Sequence, residues 1–437
     1  MRFYLMNKGF LENPYHLNIC VQRMFRSHFF FIFLAIISFS VTAFADEEFD
    51  AGVALRQITQ YQRWPGIYHK LDSEYDRDIG SAQLLSRFWM MKKSGDSCLK
   101  FEFENNCLHQ SVPFDNSLAG GSITAWNNQS QQNNRLEFWN LSRENISRRQ
   151  TSVTTSIERF DYAWSWNNLD FDLGRQPISL GTSHFIGVLD ILSPFYPGYL
   201  DSSYKPGIDA FRIRSGLGDT GEAELIAVPG REDNRKALLG RMRKNFDGID
   251  AEMIFGNFRD RKFLGFGYEG EKHRVTYWGE IGLFESKFPE RKSISKYSVS
   301  WIFGLEKDIR PRFRLGAAFF HQDFGAGRSE DITQVTSYAP FREGWAFLTG
   351  RNYGLITAHK EFNPLLKAEI SAIINLQDRS SLWQPKLSIS TGDNTDITFF
   401  SWISDGKQPY LSTYSLSTPS EFGMFPDGFG VIMRYFL

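Results

Sequence analysis

Long apolar runs are scarce in this chain. Outside Phe29–Val41 no stretch approaches the roughly 20 apolar residues that carry a helix across a bilayer, so helical spans are not expected in the bulk of the sequence. An excess of one charge is also lacking: 49 Lys and Arg face 50 Asp and Glu, a net charge of −1. A nucleic-acid binder would show a basic excess. Catalytic signatures are missing as well, with no G-x-S-x-G, no H-E-x-x-H, no P-loop and no Cys-x-x-Cys. The histidines after residue 45 (His69, His109, His184, His273, His321, His359) are scattered, and only His321 with Asp323 resembles a catalytic pairing. Nothing calls for a cofactor or a metal. Cysteine is limited to Cys20, Cys98 and Cys107. What is abundant is phenylalanine, which occurs 41 times.

The apolar run Phe29–Val41 follows Arg26 and precedes Ala43-Phe44-Ala45, with Asp46-Glu47-Glu48 behind it. Small residues at −3 and −1 after a short apolar stretch read as a cleaved signal peptide over 1–45. An N-terminal anchor helix is the alternative. Met24-Phe25-Arg26 would make a conventional start, which puts the first 23 residues in question. Export places Cys98 and Cys107 where disulfides persist. A bridge between them is the candidate reading, and free or metal-bound thiols the alternative, with no histidine cluster beside them.

The remaining sequence carries period-2 alternation in segments of about ten residues separated by turn chemistry. Tyr297, Val299, Trp301, Phe303 and Leu305 alternate with smaller or polar neighbours, as do Phe313, Leu315, Ala317 and Phe319, and Leu366 to Leu376. In a pleated strand each set occupies one face. One face is apolar and the other carries charge, Gly and Ser, which suits lipid outside and water inside. Sixteen candidate strands start near 134, 152, 168, 208, 220, 236, 249, 261, 273, 293, 311, 349, 364, 382, 395 and 427. Alternate connections are tight: 167–168, 217–219, 247–248, 270–272, 307–310, 363–364 and 393–394. The other set holds every long loop: 175–207, 229–235, 286–292, 324–348 and 407–426. Short turns at one rim and long loops at the other are the pattern of bacterial outer-membrane barrels.

Residues 46–133 are less legible. Segments near 82–92 and 97–105 read as strands, with 119–126 a further candidate, and an up-and-down count through them either leaves a long loop on the wrong side or needs one more strand around 51–61. They supply either the first strands or a periplasmic extension, with 134–437 forming the barrel. The fold expected is an all-β, antiparallel up-and-down transmembrane barrel of sixteen or eighteen strands.

At the end of the chain Phe429, Val431, Met433, Tyr435 and Leu437 are apolar at every second position. This resembles the C-terminal strand by which Gram-negative outer-membrane barrel proteins are recognised by their assembly machinery. The family pattern ends in Phe or Trp, and Leu437 departs from it. A second resemblance, to porin-like outer-membrane families, rests on Leu173-Gly174-Arg175-Gln176-Pro177-Ile178 and on Asp201 to Arg212 (DSSYKPGIDAFR). It implies a barrel whose long loop, here 175–207, folds into the lumen; a loop lying over the mouth is the alternative.

Between 168 and 256 the inward positions alternate in sign strand by strand. Asp170 and Asp172 are followed by Arg212 and Arg214, Glu222 and Glu224, Arg241 and Arg243, then Asp250 and Glu252. An Arg on the lipid face would cost about 2–4 kcal/mol near the midplane, so these residues are expected to line the interior. A three-residue turn at Leu217–Asp219 would set Arg212 opposite Glu224 and Arg214 opposite Glu222. The turn at Asp247-Gly248 would set Arg243 opposite Glu252. The ladder is read either as a charged pore wall or as bracing only. The function expected is a porin-like channel passing small hydrophilic solutes or ions, not an enzyme and without a cofactor. Its partners would be the bilayer and the assembly machinery of the outer membrane, with no nucleic acid. The alternatives are a non-conducting or polymer-exporting barrel and a rim-site enzyme using His321.

Overall fold

The computed structural model describes residues 49–71, 78–112, 136–195, 204–232, 235–286, 296–411 and 416–437. The leader with its start at Met24, and the strand considered at 119–126, lie outside the described residues.

The alternating segments form strands, because residues two apart share a face and the outward face is apolar along its length. In order they are β1 (Phe49–Arg63), β2 (Asp78–Ser94), β3 (Ser97–Gln110), β4 (Ser142–Arg148), β5 (Thr151–Trp166) and β6 (Leu169–Gln176). They continue with β7 (Ile208–Gly216), β8 (Gly221–Val228), β9 (Ala237–Phe246), β10 (Ile249–Phe258), β11 (Arg261–Lys272) and β12 (Val275–Glu285). The rest of the wall is β13 (Tyr297–Arg310), β14 (Phe313–Gln322), β15 (Asn352–Asn363), β16 (Leu366–Asn375), β17 (Ser381–Gly392), β18 (Thr395–Asp405) and, after the small hairpin β19 (Tyr410–Leu411) and β20 (Leu416–Ser417), β21 (Asp427–Phe436).

β21 pairs with β18 on one side and β1 on the other, so the sheet closes. Of its 19 strands, β4 and β6 share one edge of β5, and 18 complete the circuit. The sixteen-or-eighteen alternative is thus decided at eighteen. Residues 49–110 supply three wall strands, β1 to β3. The strand expected from about 134 is not one of the wall's own: 136–141 carry no strand, and β4 is a short insert. The reason is that β6 stops after eight residues, leaving the far half of the 16-residue β5 without a partner. β4 covers it by pairing with Thr151–Ser156.

The tight connections expected from the sequence share one rim, but three sit a little later than the sequence suggests, and a further two-residue turn, Arg259-Asp260 between β10 and β11, lies at the other rim. The β11–β12 turn is His273-Arg274, both at positive φ (55° and 62°), not 270–272. That between β13 and β14 is Pro311-Arg312, not 307–310, because a bulge between Asp308 and Arg310 lengthens β13. The β7–β8 turn is built on Gly218 (φ 66°), so Leu217 still pairs, its N–H donating to Gly221 O at 2.8 Å. A two-residue type I′ hairpin needs both residues at positive φ, and His273 and Arg274 supply it without glycine.

Faces alternate throughout. Leu238 and Met242 are 51% and 44% exposed, while Leu239 and Arg241 between them are 0% and 7%. Phe303, Leu305, Phe319, Ile356, Ile370, Phe399, Phe429, Met433 and Tyr435 all point outward. The inner face has two storeys. Near the short-turn rim it is charged; near the long-loop rim it is apolar, with Ile208, Ile226, Leu239, Ile254, Phe258, Phe263, Trp278, Phe284, Ile302 and Phe320 in one buried cluster with loop residues. Helix α3 (Ala339–Arg342), from the loop after β14, packs there through Ala339, whereas α2 (Ile332–Val335) of the same loop buries Ile332 and Val335 in a separate small cluster with Ala326 and Tyr338; α1 (Gly66–Leu71) lies in the loop after β1.

Cys98 and Cys107 are both free thiols, which corrects the disulfide expectation. They sit on the same strand β3, nine residues apart, hence separated by roughly 30 Å at a strand's rise per residue. A bridge needs Cα atoms about 4.4–6.8 Å apart.

Candidate functional site

The charged residues singled out on β6–β10 all lie on the face shared with buried Ile226, Leu239 and Ile254. Arg214 Nη2 meets Asp172 Oδ2 at 2.6 Å. Arg212 Nε donates to Glu224 Oε1 at 2.5 Å, and Arg241 Nη1 to Glu224 Oε2 at 3.1 Å. Arg241 Nε and Nη2 also donate to Glu252 Oε2 at 2.8 and 2.6 Å, with Arg243 Nε 3.4 Å from the same oxygen. Signs therefore alternate along one run of contacts, from Arg212 through Glu224, Arg241 and Glu252 to Arg243, with Arg214 and Asp172 forming a separate pair beside it. Asp170 accepts from Ser165 Oγ at 2.6 Å and Asp250 from Asn245 Nδ2 at 2.8 Å. Those two, Glu222 and Arg243 lie nearest the short-turn rim, where the wall is open to solvent; Asp172, Glu224, Arg241 and Glu252 are buried.

Register explains which pairs form. Arg243 stands opposite Glu252, as the Asp247-Gly248 turn requires. The β7–β8 pairing differs from expectation: Arg214 faces Glu224, Gly216 faces Glu222 and Arg212 faces Ile226. Moving the turn by one residue moves the register by two. Arg212 nonetheless reaches Glu224 diagonally, a distance that long side chains bridge.

The long loop after β6 enters the barrel. Glu280, inward on β12, accepts four backbone N–H groups from it: Thr182 and Ser183 on Oε1 at 2.5 and 2.7 Å, Val188 and Leu189 on Oε2 at 2.7 and 3.1 Å. Gly181 N donates to Glu252 Oε1 at 2.7 Å, which ties the loop to the charged wall. Ile178, Leu180, Val188, Leu189, Ile191 and Leu192 bury themselves against the apolar storey. At the tip His184 stacks on Trp278, its Nε2 3.0 Å from Glu269 and its Nδ1 3.2 Å from Glu306. The Glu306 hydrogen bond first, and then Glu269, hold this imidazole above its usual pKa despite partial burial. Farther along, Lys205 Nζ meets both Asp190 oxygens at 2.6 Å.

The two stretches that carried the porin-like resemblance meet. Arg175 of β6 forks onto Asp209 of β7, Nε to Oδ1 at 2.8 Å and Nη2 to Oδ2 at 3.0 Å, with both side chains fully buried. Asp209 also accepts from Phe138 N and Trp139 N, and Arg175 donates to Trp139 O and Ile157 O. The pair stitches the 136–141 segment and β5 to the point where the loop leaves the wall. Gln176 joins it to the ladder through Arg212 Nη1 at 3.3 Å.

Two features escaped the sequence reading. One is Glu280, a single carboxylate in a strand, whose partners are backbone groups and leave no pattern. The other is a second charged patch, where Arg87 meets Glu102 and Glu104, Arg159 meets Glu102, and the Tyr204 ring lies 3.2 Å beneath Arg87. Glu102 and Glu104, two apart on β3, were its visible signal. His321 and Asp323 do approach, at 3.2 Å. They lie by outward-facing Trp301, however, and Asn352 engages the other ring nitrogen at 2.6 Å.

No family model and no curated protein matches the sequence. Solved structures do match in shape. A BenF-like porin from Pseudomonas fluorescens Pf-5 superposes with a TM-score of 0.55 at 10% identity, over 90% of this chain and 99% of that one. OccAB1 of Acinetobacter baumannii gives 0.54 at 9%, over 90% and 97%. OccK5 (OpdH) of Pseudomonas aeruginosa gives 0.51 at 10%, over 89% and 98%. At such identities the likeness speaks for the fold, and that fold is the 18-stranded barrel of Gram-negative outer-membrane porins.

Proposed function

We propose that this chain is an outer-membrane channel that passes small hydrophilic solutes or ions. The observation that carries the reading is a closed barrel, apolar outside, whose inner wall bears a transverse ladder of opposite charges beside an inserted loop. Apolar outward residues suit lipid, and buried or solvated charge on the inner side suits a watery passage. Asp170, Glu222, Arg243 and Asp250 are the ladder residues a solute would meet, at the end nearer the short turns. Asp172, Arg212, Arg214, Glu224, Arg241 and Glu252 act chiefly on one another and hold that wall in shape. Export through a cleaved leader, and recognition of Phe429, Val431, Met433, Tyr435 and Leu437 by the assembly machinery, belong to the same reading. No catalytic step is assigned to any residue.

A second reading has its own support: the apolar storey is filled by loops, as a non-conducting barrel would be. Purified protein in planar bilayers separates the two. Discrete conductance steps with a defined reversal potential are expected of the channel. A correctly assembled barrel that stays silent across a wide voltage range would give the answer to the plugged form.

A further inference from the structure

We infer that Glu280 is the positioning residue that sets the width of the passage, by holding the turn Gly181–Leu189 across the interior. This rests on the channel reading above and adds to it which side chain fixes the constriction.

A carboxylate can accept about four hydrogen bonds, and all four at Glu280 come from the loop's backbone: Thr182, Ser183, Val188 and Leu189. The two donor pairs flank His184–Gly187, so one side chain pins both feet of the turn and leaves its tip projecting. The wall beneath is shaped for this. A Cβ built on Gly282 would lie 3.1 Å from Val188 Cγ1, and one on Gly267 would lie 3.1 Å from Leu189 Cδ1 and 3.4 Å from Thr182 Oγ1. A Cβ on Gly265 would strike Leu189. Gly181 takes φ 87°, and a Cβ there would collide with the Glu280 carboxylate itself. Glycine at those places lets the loop backbone come within hydrogen-bond reach of the strand. The hydrogen bonds of Glu280 go to the turn.

Replacing one oxygen by an amide removes half of the acceptors and turns a donor toward two N–H groups, which lifts one foot of the turn. Glu280→Gln is therefore expected to raise single-channel conductance on the order of twofold, since pore radius governs passage, and to increase open-channel noise. The heat-modifiable gel mobility of the folded barrel should be kept. Glu280→Asp draws both oxygens back by about 1.5 Å, one C–C bond, and should move conductance the same way by less. A staple supplies the reversal. With Cys98 and Cys107 changed to Ser, Thr182→Cys and Gly267→Cys in the Glu280→Gln protein should return conductance toward the parent when oxidised and release it when reduced.

Parent protein is recorded first: if it does not conduct, the channel reading fails before any variant is tested. If it conducts, and both assembled Glu280 variants keep its conductance, noise and reversal potential, the inference is overturned. Loss of assembly in both variants overturns it as well, since Glu280 would then serve the fold and not the passage.

Discussion

Arg175 and His184 show how differently a charged side chain can act according to what surrounds it. Arg175 is sealed between Asp209 and backbone carbonyls, with no solvent-exposed side-chain surface. Removing one partner of a buried pair leaves the other uncompensated, at about 3–5 kcal/mol. Arg175→Met should therefore lower the temperature at which the folded barrel loses its fast gel mobility, while Arg231→Met, an exposed residue nearby, should not. An unchanged transition would mean that Asp209 is satisfied by Phe138 N and Trp139 N alone. His184 is half exposed and answers to pH. Its pKa is raised when the loop is docked, so the docked state binds the proton more tightly than the released one. The clamp contributes fully below the ordinary imidazole value, near 6.5, and is lost as pH rises through the raised one. The charges that face it are Glu269 and Glu306, with Arg314 behind Glu306 and Glu280 beneath the turn. Open-channel noise should accordingly increase as pH rises above the ordinary imidazole value, and His184→Gln should flatten that dependence. A parent protein whose noise ignores pH would remove His184 from the account.

At the scale of strands, β9 gives the ladder one arginine that solvent reaches and one that it does not. Arg243 has 45% of its side chain exposed and a single long contact to Glu252, whereas Arg241 has 8% and bridges Glu224 to Glu252. Arg243→Gln is expected to shift the reversal potential toward cation preference with assembly intact. Arg241→Gln should instead lower the folded yield, leaving two carboxylates facing each other in a buried site. Equal effects from the two would mean that burial does not sort them. β21 is a second such element, since it is paired on both sides and its outward row includes Tyr435. Tyr435→Asp should block assembly with export unaffected, checked by fractionation of membranes and periplasm.

These elements also mark what could be read in advance. Fifteen of the strands from β5 onward begin within a few residues of their expected starts, because period-2 alternation between lipid and water is written in every one. Turn positions were harder. His273-Arg274 and Pro311-Arg312 contain no glycine, so the positive φ of His273, Arg274 and Arg312 had no local signal. β4 could not be told from a wall strand, since its role depends on where β6 stops. Of the site, the five charge pairs were visible as a pattern, but the Arg212 partner was reached by a different geometry, and Glu280 was invisible because its partners are main-chain atoms.

Taken whole, the described wall is a hydrogen-bonded cylinder closed by β21 between β18 and β1, and such a wall resists detergent until heated. Unboiled protein should migrate differently in SDS gels from boiled protein, and a soluble protein without that shift would contradict the barrel. Leu437 exchanges backbone hydrogen bonds with Val53 in both directions, so the last residue is held by β1. The apolar inner storey has a consequence of another kind. Outside, the barrel's apolar residues meet lipid; inside, Trp278, Phe284, Phe320, Trp345 and Leu189 meet one another, and their alternative neighbour is water. Releasing the loops exposes apolar surface to water with the wall still closed, which raises the heat capacity. Hydrophobic docking of this kind weakens on cooling. The interior should then loosen in the cold while the wall does not, giving one molecule two opposite responses to the same change of temperature.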